Sequence, residues 1–120
     1  MRKFNVFAST AVLMTMAGAA SAEEIGYPKD ALGFEAMVDG NWRQAERQLE
    51  ESAAEFGNDP ARLLNLAQVY RVTGREAEAR GLYRRVLESE DMVLVLSDGR
   101  KVSAHTIAGD RLATVQSAGR

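Results

Sequence analysis

The sequence predicts a mainly α-helical protein of two antiparallel helix pairs, followed by a β-hairpin and a short terminal helix. Three observations predict this fold class. Four segments of about 12 to 15 residues repeat apolar residues at spacings of three and four, as amphipathic helices do. Glycines at positions 40, 57 and 74 separate these segments. Beyond position 91 the pattern changes to an aliphatic run and a turn sequence typical of a hairpin.

The first 22 residues have the pattern of an export signal. Two basic residues precede an apolar run over residues 6–17, and a small-residue triplet, Ala-Ser-Ala, ends at Ala22. The run is shorter than the roughly 20 apolar residues of a bilayer-spanning helix. We therefore expect cleavage after Ala22, no stable membrane anchor afterwards, and a periplasmic or secreted location. The alternative is that residues 1–22 stay attached as an uncleaved anchor. Residues 23–27 are expected to form a short leader before the first helix.

The composition argues against several classes of function. The chain has 15 basic and 17 acidic residues, and removal of residues 1–22 leaves 13 and 17, a net charge of −4. Phosphate backbones favour a basic surface, so nucleic acid is not an expected partner. The chain has no cysteine, and His105 is its one histidine. Since no acidic cluster has the spacing of a calcium loop, we expect no metal and no cofactor.

The first helix pair is predicted from its caps and its apolar spacing. Pro28 suits the first turn of a helix, which we expect to continue to about Asp39 before Gly40 ends it. Asn41 is a suitable N-cap for the second helix, because Gln44 stands three residues later in the capping-box position. A continuous apolar stripe then predicts that this helix extends to about residue 56.

The second helix pair has stronger boundary signals. Asp59 is a suitable N-cap, and Pro60 follows it in the first helical turn. Gly74 ends this third helix. Apolar residues at helical spacing predict the fourth helix over residues 75–88.

Residues 92–120 change from helical to strand-like periodicity. The sequence predicts a strand at residues 92–96, a turn at 97–99 and a returning strand at 100–104. A short helix is expected from about Thr106. Because an isolated hairpin is marginally stable in water, this segment must pack on the helices. The first strand is expected to be buried on both faces, and the alternative is an edge that adds to a partner's sheet.

The residues of the first helix pair recur in the second at an offset of 34. The matching pairs are Leu32 and Leu66, Gly33 and Ala67, Gly40 and Gly74, and Ala45 and Ala79. Two antiparallel helices that recur every 34 residues are typical of tetratricopeptide repeats. A plain helical bundle is the alternative.

Residues 26–93 resemble two tandem tetratricopeptide repeats, 26–59 and 60–93, stacked as an α–α superhelix. The second repeat is the better match, and its signature positions hold Leu63, Leu66, Ala67, Tyr70, Gly74, Ala79, Tyr83 and Leu87. The small residues at positions 33, 45, 67 and 79 let paired helices approach closely. Two repeats are fewer than the usual minimum of about three, so we expect residues 92–116 to cap the second pair.

The resemblance also implies a groove formed by the first helix of each repeat, which holds a peptide or a partner helix. The residues expected to face it are Asp30, Phe34, Met37, Leu64, Asn65, Gln68 and Arg71. Asn65 matches a position where many family members bind the ligand backbone, and the alternative is a bond within the helix packing. The family's clamp for acidic tails is not expected, because Asp30 and Phe34 occupy positions where the clamp needs a lysine and an asparagine.

No pattern in the sequence predicts catalysis. Ser103 and His105 could be imagined in a hydrolase triad, but no nucleophile-elbow motif supports one. We therefore expect a non-catalytic, exported tetratricopeptide-repeat protein that binds a protein or peptide in the cell envelope. The alternative is a structural subunit of an envelope assembly that associates with copies of itself.

Overall fold

The computed structural model describes residues 27–96 and 98–118, and it consists mainly of helices. In chain order the elements are α1 (Phe34–Val38), α2 (Trp42–Glu51), α3 (Ala53–Phe56), α4 (Pro60–Val72), α5 (Glu76–Glu88), β1 (Val93–Val95), β2 (Lys101–Ser103) and α6 (Ala104–Ala118). The predicted fold class, helix pairs followed by a hairpin and a terminal helix, is confirmed. The expected export signal, residues 1–22, and all of the leader except its last residue lie outside the described residues.

The first helix is shorter than the sequence predicts. We expected Pro28 to open a helix that continues to about Asp39, but α1 contains five residues. Residues 28–33 form turns instead, and the Gly33 N–H donates to the Asp30 carbonyl oxygen over 3.2 Å. Asp30 and Gly33 have φ values of 67° and 66°, a left-handed conformation that a right-handed helix cannot include. This backbone geometry is the reason why the helix starts late.

Gly33 lies where the first helix pair packs most tightly. A Cβ atom at this position would lie 3.1 Å from the Ala45 carbonyl oxygen and 3.2 Å from Cγ of Leu49. Both distances are shorter than ordinary van der Waals contact, so a side chain here would push the elements apart. The interpretation that small residues at positions 33 and 45 permit close approach is confirmed.

The second predicted helix is divided into α2 and α3. Its start is as predicted, because the Asn41 side-chain oxygen accepts a hydrogen bond from the Gln44 backbone N–H over 3.2 Å. The Ser52 hydroxyl lies 3.1 Å from the Leu49 carbonyl oxygen and 2.8 Å from that of Ala31. A hydroxyl that bonds the preceding turn competes with the helical pattern, and α2 ends one residue before Ser52.

The second helix pair begins as predicted. The Asp59 carboxylate accepts hydrogen bonds from the backbone N–H groups of Ala61, over 2.8 Å, and Arg62, over 3.4 Å. Pro60 occupies the first turn of α4, where its missing N–H leaves no bond unmade. The sequence signals at this boundary therefore correspond to the contacts that form it.

The turn after the first helix has the same geometry in both pairs. In the second pair the Arg75 N–H donates to the Tyr70 carbonyl oxygen over 2.7 Å, and the Gly74 N–H donates to that of Arg71 over 3.3 Å. The two equivalent backbone hydrogen bonds in the first pair, each 34 residues earlier in the chain, measure 2.8 and 3.0 Å. Gly74 has a φ value of 84°, as this helix cap requires. The backbone therefore repeats with the period found in the sequence.

The C-terminal segment forms a hairpin and a helix, as predicted, but the helix is longer than expected. The strands are antiparallel, with Leu94 opposite Val102. Helix α6 begins at Ala104 instead of near Thr106, and it has 15 residues. The earlier start follows from Ser103, whose hydroxyl accepts a hydrogen bond from the Thr106 N–H over 3.2 Å, as an N-cap does.

Strand β1 is buried on one face only. Leu94 is buried, whereas Val93 is 65 % exposed. The expectation that residues 92–96 are buried on both faces is therefore wrong. The physical reason is that the hairpin packs on the helices with one face, so alternate side chains point to solvent.

One hydrophobic core joins both helix pairs and the C-terminal segment. That segment contributes four buried residues to it: Leu94, Ala104, Ala108 and Val115. Helix α6 packs mainly against α5 and to a smaller extent against α4. The prediction that this segment packs on the helices is confirmed. Within the part of the chain that the structure describes, no helix combines the length and apolar character needed to cross a membrane.

Candidate partner-binding groove

The seven residues expected to face a partner differ in exposure. Three of them are buried: Met37, Leu64 and Asn65. Four have side chains that are exposed or partly exposed: Asp30, Phe34, Gln68 and Arg71. A partner can reach the second set without disturbing the core.

Asn65 is 3 % exposed and makes a contact between the two helix pairs. Its side-chain amide donates a hydrogen bond to the Leu32 carbonyl oxygen over 2.8 Å. A buried carbonyl oxygen needs such a donor, so this bond contributes to packing. The contact corresponds to the alternative interpretation of Asn65, a bond within the helix packing.

Asp30 borders a cleft that Gln68 and Arg71 do not line. It lines an open cleft of about 480 Å³ between the turn at residues 28–31 and helices α2 and α3. Gln48 also lines this cleft, and its side-chain oxygen is buried with no hydrogen-bond partner among the described residues. The structure therefore gives Asp30 different neighbours from the two predicted residues on α4.

Two exposed valines lie at the C-terminal ends of the two helices that are predicted to face a partner. Val38 ends α1 and is 67 % exposed, and Val72 ends α4 and is 44 % exposed. Their separation is the 34-residue period, so they occupy the same position in successive helix pairs. Both side chains are available for an apolar contact with a partner. Neither valine is among the site residues predicted from the sequence, although the period that aligns the packing residues also aligns these two.

Arg71 lies next to Val72 and faces a polar neighbour on its own helix. Its Nε and Nη2 atoms lie 3.4 and 3.3 Å from the Gln68 side-chain oxygen. Both distances are at the long end for such bonds. Burial raises the pKa of Tyr83, and the positive charges of Arg111 and Arg71, together with a hydrogen bond between Arg71 and the Tyr83 hydroxyl, oppose this rise. These charges therefore lie within electrostatic reach of one buried hydroxyl.

Arg111 is a charged residue within an otherwise apolar contact. The buried residues described on α6 are Ala104, Ala108 and Val115. Arg111 follows the second of these by three positions and precedes the third by four, so it lies on the same helix face. Burial is the main cause that lowers its pKa and the charge of Arg71 adds to the lowering, whereas Tyr83 and the neighbouring Asp110 oppose it. The spacing within α6 could have identified this residue from the sequence.

A separate polar contact joins the two helix pairs. The Arg75 guanidinium lies 2.5 and 3.0 Å from the two carboxylate oxygens of Glu46, and it stacks over the Tyr70 ring at 4.5 Å. The hydrogen bonds from Arg75 hold the pKa of Glu46 below its usual range. Because both side chains are partly exposed, we expect a modest contribution to stability, with a geometric role in holding α2 beside the start of α5.

Ser103 and His105 have structural contacts instead of the geometry of a triad. The Ser103 hydroxyl donates to the Asp91 carboxylate over 2.6 Å, and the His105 N–H donates to the same carboxylate over 3.0 Å. Nε2 of His105 lies 2.7 Å from the Ser89 carbonyl oxygen. These bonds fix the start of α6. Across residues 27–96 and 98–118, no group of histidine and carboxylate side chains is placed to hold a metal ion.

Comparison with known proteins identifies the helix pairs. Residues 36–92 match a family described as tetratricopeptide repeat. No curated protein and no solved structure matches the chain. The matched region runs from within α1, through both helix pairs, to the residue before β1. Because this region also has the 34-residue period and the repeated turn geometry, residues 36–92 are tetratricopeptide repeats.

Proposed function

We propose that the chain is an exported, non-catalytic module that binds a protein or peptide partner in the cell envelope. Tetratricopeptide repeats generally mediate contacts between proteins. The observation that carries the proposal is the repeated exposed position at the ends of α1 and α4, occupied by Val38 and Val72. Gln68 and Arg71 lie on the same helix as Val72 and supply polar groups beside it. Apolar side chains next to polar ones are suited to a peptide segment.

The proposal that the protein is exported and of bacterial type rests on residues 1–22. Their basic start, apolar run and small-residue triplet support cleavage after Ala22. N-terminal sequencing of the protein recovered from the periplasmic fraction tests this directly. We expect the recovered chain to begin at Glu23, and a chain that begins at Met1 in the membrane fraction contradicts cleavage.

Partner binding is tested by site-specific photocrosslinking in the native envelope. A photoreactive residue at Gln68 lies within the proposed surface, and one at the exposed Arg84 of α5 serves as the matched control. We expect a discrete crosslinked protein from position 68 and a markedly weaker product from position 84. Equal products at both positions, or none at position 68, contradict a partner at this surface.

Self-association is the second candidate, and a separate apolar region favours it. Leu87, Met92 and Val93 are exposed at and just beyond the end of α5. Copies of the chain could pair through such a region. Light scattering decides between the candidates, because a monomer at tens of micromolar excludes a self-associating subunit. A concentration-dependent dimer that Val93→Lys abolishes supports one.

A further inference from the structure

The open cleft beside the first helix pair has walls that the chain itself holds in place. It lies between the turn at residues 28–31 and helices α2 and α3, and its volume is about 480 Å³. The Ser52 hydroxyl donates to the Ala31 carbonyl oxygen over 2.8 Å and so joins the two walls. The Ala31 N–H donates to the Pro28 carbonyl oxygen over 3.1 Å, which closes the turn. The volume is within the roughly 300–1,000 Å³ that is usual for small-molecule sites.

One side chain in the cleft has an unused acceptor. The side-chain oxygen of Gln48 is buried, and no hydrogen-bond donor reaches it within residues 27–96 and 98–118. Such groups are uncommon, because the hydration that they lose on burial is not replaced. A ligand that donates an N–H to this oxygen supplies the missing bond.

The helix that forms one wall presents its polar groups on a single face. The Ser52 N–H donates to the Gln48 carbonyl oxygen over 3.1 Å, and the Phe56 N–H donates to that of Ser52 over 2.8 Å. The helical turn therefore continues from α2 into α3. Gln48, Ser52 and Phe56 follow one another four residues apart, and Glu51 and Glu55 lie beside them at the same spacing. All five side chains line the cleft.

The charged side chains around the cleft leave two carboxylates next to each other. The lining includes two basic residues, Lys29 and Arg47, and three acidic residues, Asp30, Glu51 and Glu55. Among the described residues no ion pair includes any of these five, and all of them are exposed. Glu51 and Glu55 are one helical turn apart, and like charges at this spacing repel each other. A cation placed beside them relieves the repulsion.

We propose that this cleft binds a primary ammonium group on an aliphatic chain, as in a lysine side chain or a free alkyl amine. An ammonium group has three N–H donors and no acceptor, which suits the Gln48 oxygen and the carboxylates of Glu51 and Glu55. The Phe56 ring lines the same cleft and offers an apolar contact to the methylene groups of the ligand. No residue of the proposed partner surface lines the cleft, so this binding is independent of the proposed function.

Titration of the full chain with defined probes tests the site first. The probes are acetyl-Ala-Lys-Ala-amide and n-pentylamine, and the control is the same peptide with norleucine in place of lysine. We expect saturable shifts of the Gln48 side-chain amide resonances, with a midpoint at least about tenfold lower for the lysine peptide than for its control. Gln44 is the internal reference, because it lies on the same helix and does not line the cleft. Equal midpoints for the two peptides, or equal shifts at Gln44, overturn the proposal.

The two probes also distinguish the source of the ammonium group. A lower midpoint for the peptide supports a lysine side chain of another protein as the ligand, and a lower midpoint for n-pentylamine supports a free amine. Saturation by neither probe contradicts the site.

Replacement of the unused acceptor separates binding from folding. Gln48→Met keeps the length of the side chain and removes the oxygen, and we expect the midpoint of the lysine peptide to rise at least about fivefold. The backbone N–H resonance of Ser52 reports this binding. The stability of the chain should not fall, since the atom removed has no partner to lose. A midpoint equal to that of the parent chain shows that Gln48 does not contact the ligand, and the proposal is then wrong.

The acidic residues supply a second set of variants that keeps the test decisive if Gln48→Met does not fold. We expect Glu51→Gln and Glu55→Gln each to raise the midpoint of the lysine peptide about twofold to fivefold, as for an exposed charge pair. Glu88→Gln is the matched control, because it makes the same change of charge at an exposed position of α5 outside the cleft. If Glu88→Gln weakens binding as much as Glu55→Gln, the probe responds to the net charge of the chain, and the cleft is not its site.

Discussion

Asn65 connects the two repeats through one buried hydrogen bond, from its amide to the Leu32 carbonyl oxygen at 2.8 Å. Asn65→Ala leaves this carbonyl without its donor, and we expect the free energy of unfolding to fall by about 1–3 kcal/mol. Gln68→Ala is the matched control on the same helix, because Gln68 is partly exposed, and we expect a change within about 0.5 kcal/mol. Denaturant unfolding measures both values.

The Asn65→Ala variant also separates packing from partner contact at Asn65. If Asn65→Ala keeps the stability of the parent chain but loses the crosslink from position 68, the side chain serves the partner. The bond to Leu32 would then contribute little to the packing of the repeats.

Two glycines of the second repeat are expected to respond oppositely to alanine. Gly74 has a φ value of 84°, which an alanine adopts only with strain, and we expect Gly74→Ala to destabilise the chain by about 1 kcal/mol. Gly81 lies inside α5 with open space where a Cβ would be. Gly81→Ala is therefore expected to stabilise it by about 0.5–1 kcal/mol. Thermal unfolding measured by circular dichroism shows whether each variant is stabilised or destabilised. If both variants change stability in the same direction, the assignment of the left-handed turn at Gly74 is wrong.

At the scale of an element, Asp91 holds the start of α6. Its carboxylate accepts hydrogen bonds from the Ser103 hydroxyl and the His105 N–H. These bonds, that from Ser103 first, lower the pKa of Asp91 below its usual range. A carboxylate whose pKa is lower in the folded state stabilises the fold at neutral pH, and this contribution is lost as the pH falls through the folded-state pKa.

We therefore expect Asp91→Asn to reduce the pH dependence of unfolding. Between about pH 5 and about pH 3 the melting temperature of the parent chain falls more steeply than that of the variant. Asp39→Asn, at an exposed position after α1, is the control and keeps the slope of the parent. If the melting temperatures of the parent and of Asp91→Asn fall equally steeply with pH, the contacts at the start of α6 are not coupled to folding.

Local signals were sufficient to predict several elements from the sequence. The N-caps Asn41 and Asp59 act within three residues of themselves, so the starts of α2 and α4 were correctly predicted. The end of α2 depends on the Ser52 hydroxyl, which bonds Ala31 across 21 residues. The late start of α1 depends on the left-handed Asp30, a conformation that aspartate adopts only in some contexts. Such long-range or context-dependent features are not visible in local periodicity.

The candidate site shows the same limit. The resemblance to the repeat family predicts that α1 and α4 face a partner, and the family match supports the repeat. It did not reveal that the Asn65 amide bonds the Leu32 carbonyl oxygen, because that bond depends on how α4 packs against the turn before α1. Arg111 lies outside the repeats, so its position beside the second repeat follows only from the packing of α6.

For the whole molecule, the C-terminal segment completes a core that two repeats leave open. Ala108 is fully buried in α6, and Ala113 is exposed on the same helix. We expect Ala108→Glu to place an uncompensated charge in the contact with α5 and to lower the free energy of unfolding by about 3 kcal/mol or more. Ala113→Glu is the matched control and is expected to stay within about 0.5 kcal/mol. Denaturant unfolding of the two variants tests whether α6 is part of the cooperative fold.

Removal of the whole segment extends this test from one side chain to the molecule. A chain of residues 23–91 lacks the buried Leu94, Ala104, Ala108 and Val115, and it exposes the apolar face of α5 that they cover. We expect its melting temperature to fall by at least about 10 °C relative to residues 23–120, since one kcal/mol corresponds to about 4–8 °C in a domain of this size. Its solubility should fall with it, because the uncovered face is apolar. Equal melting temperatures for the two chains contradict the capping role, and the two repeats would then be stable by themselves.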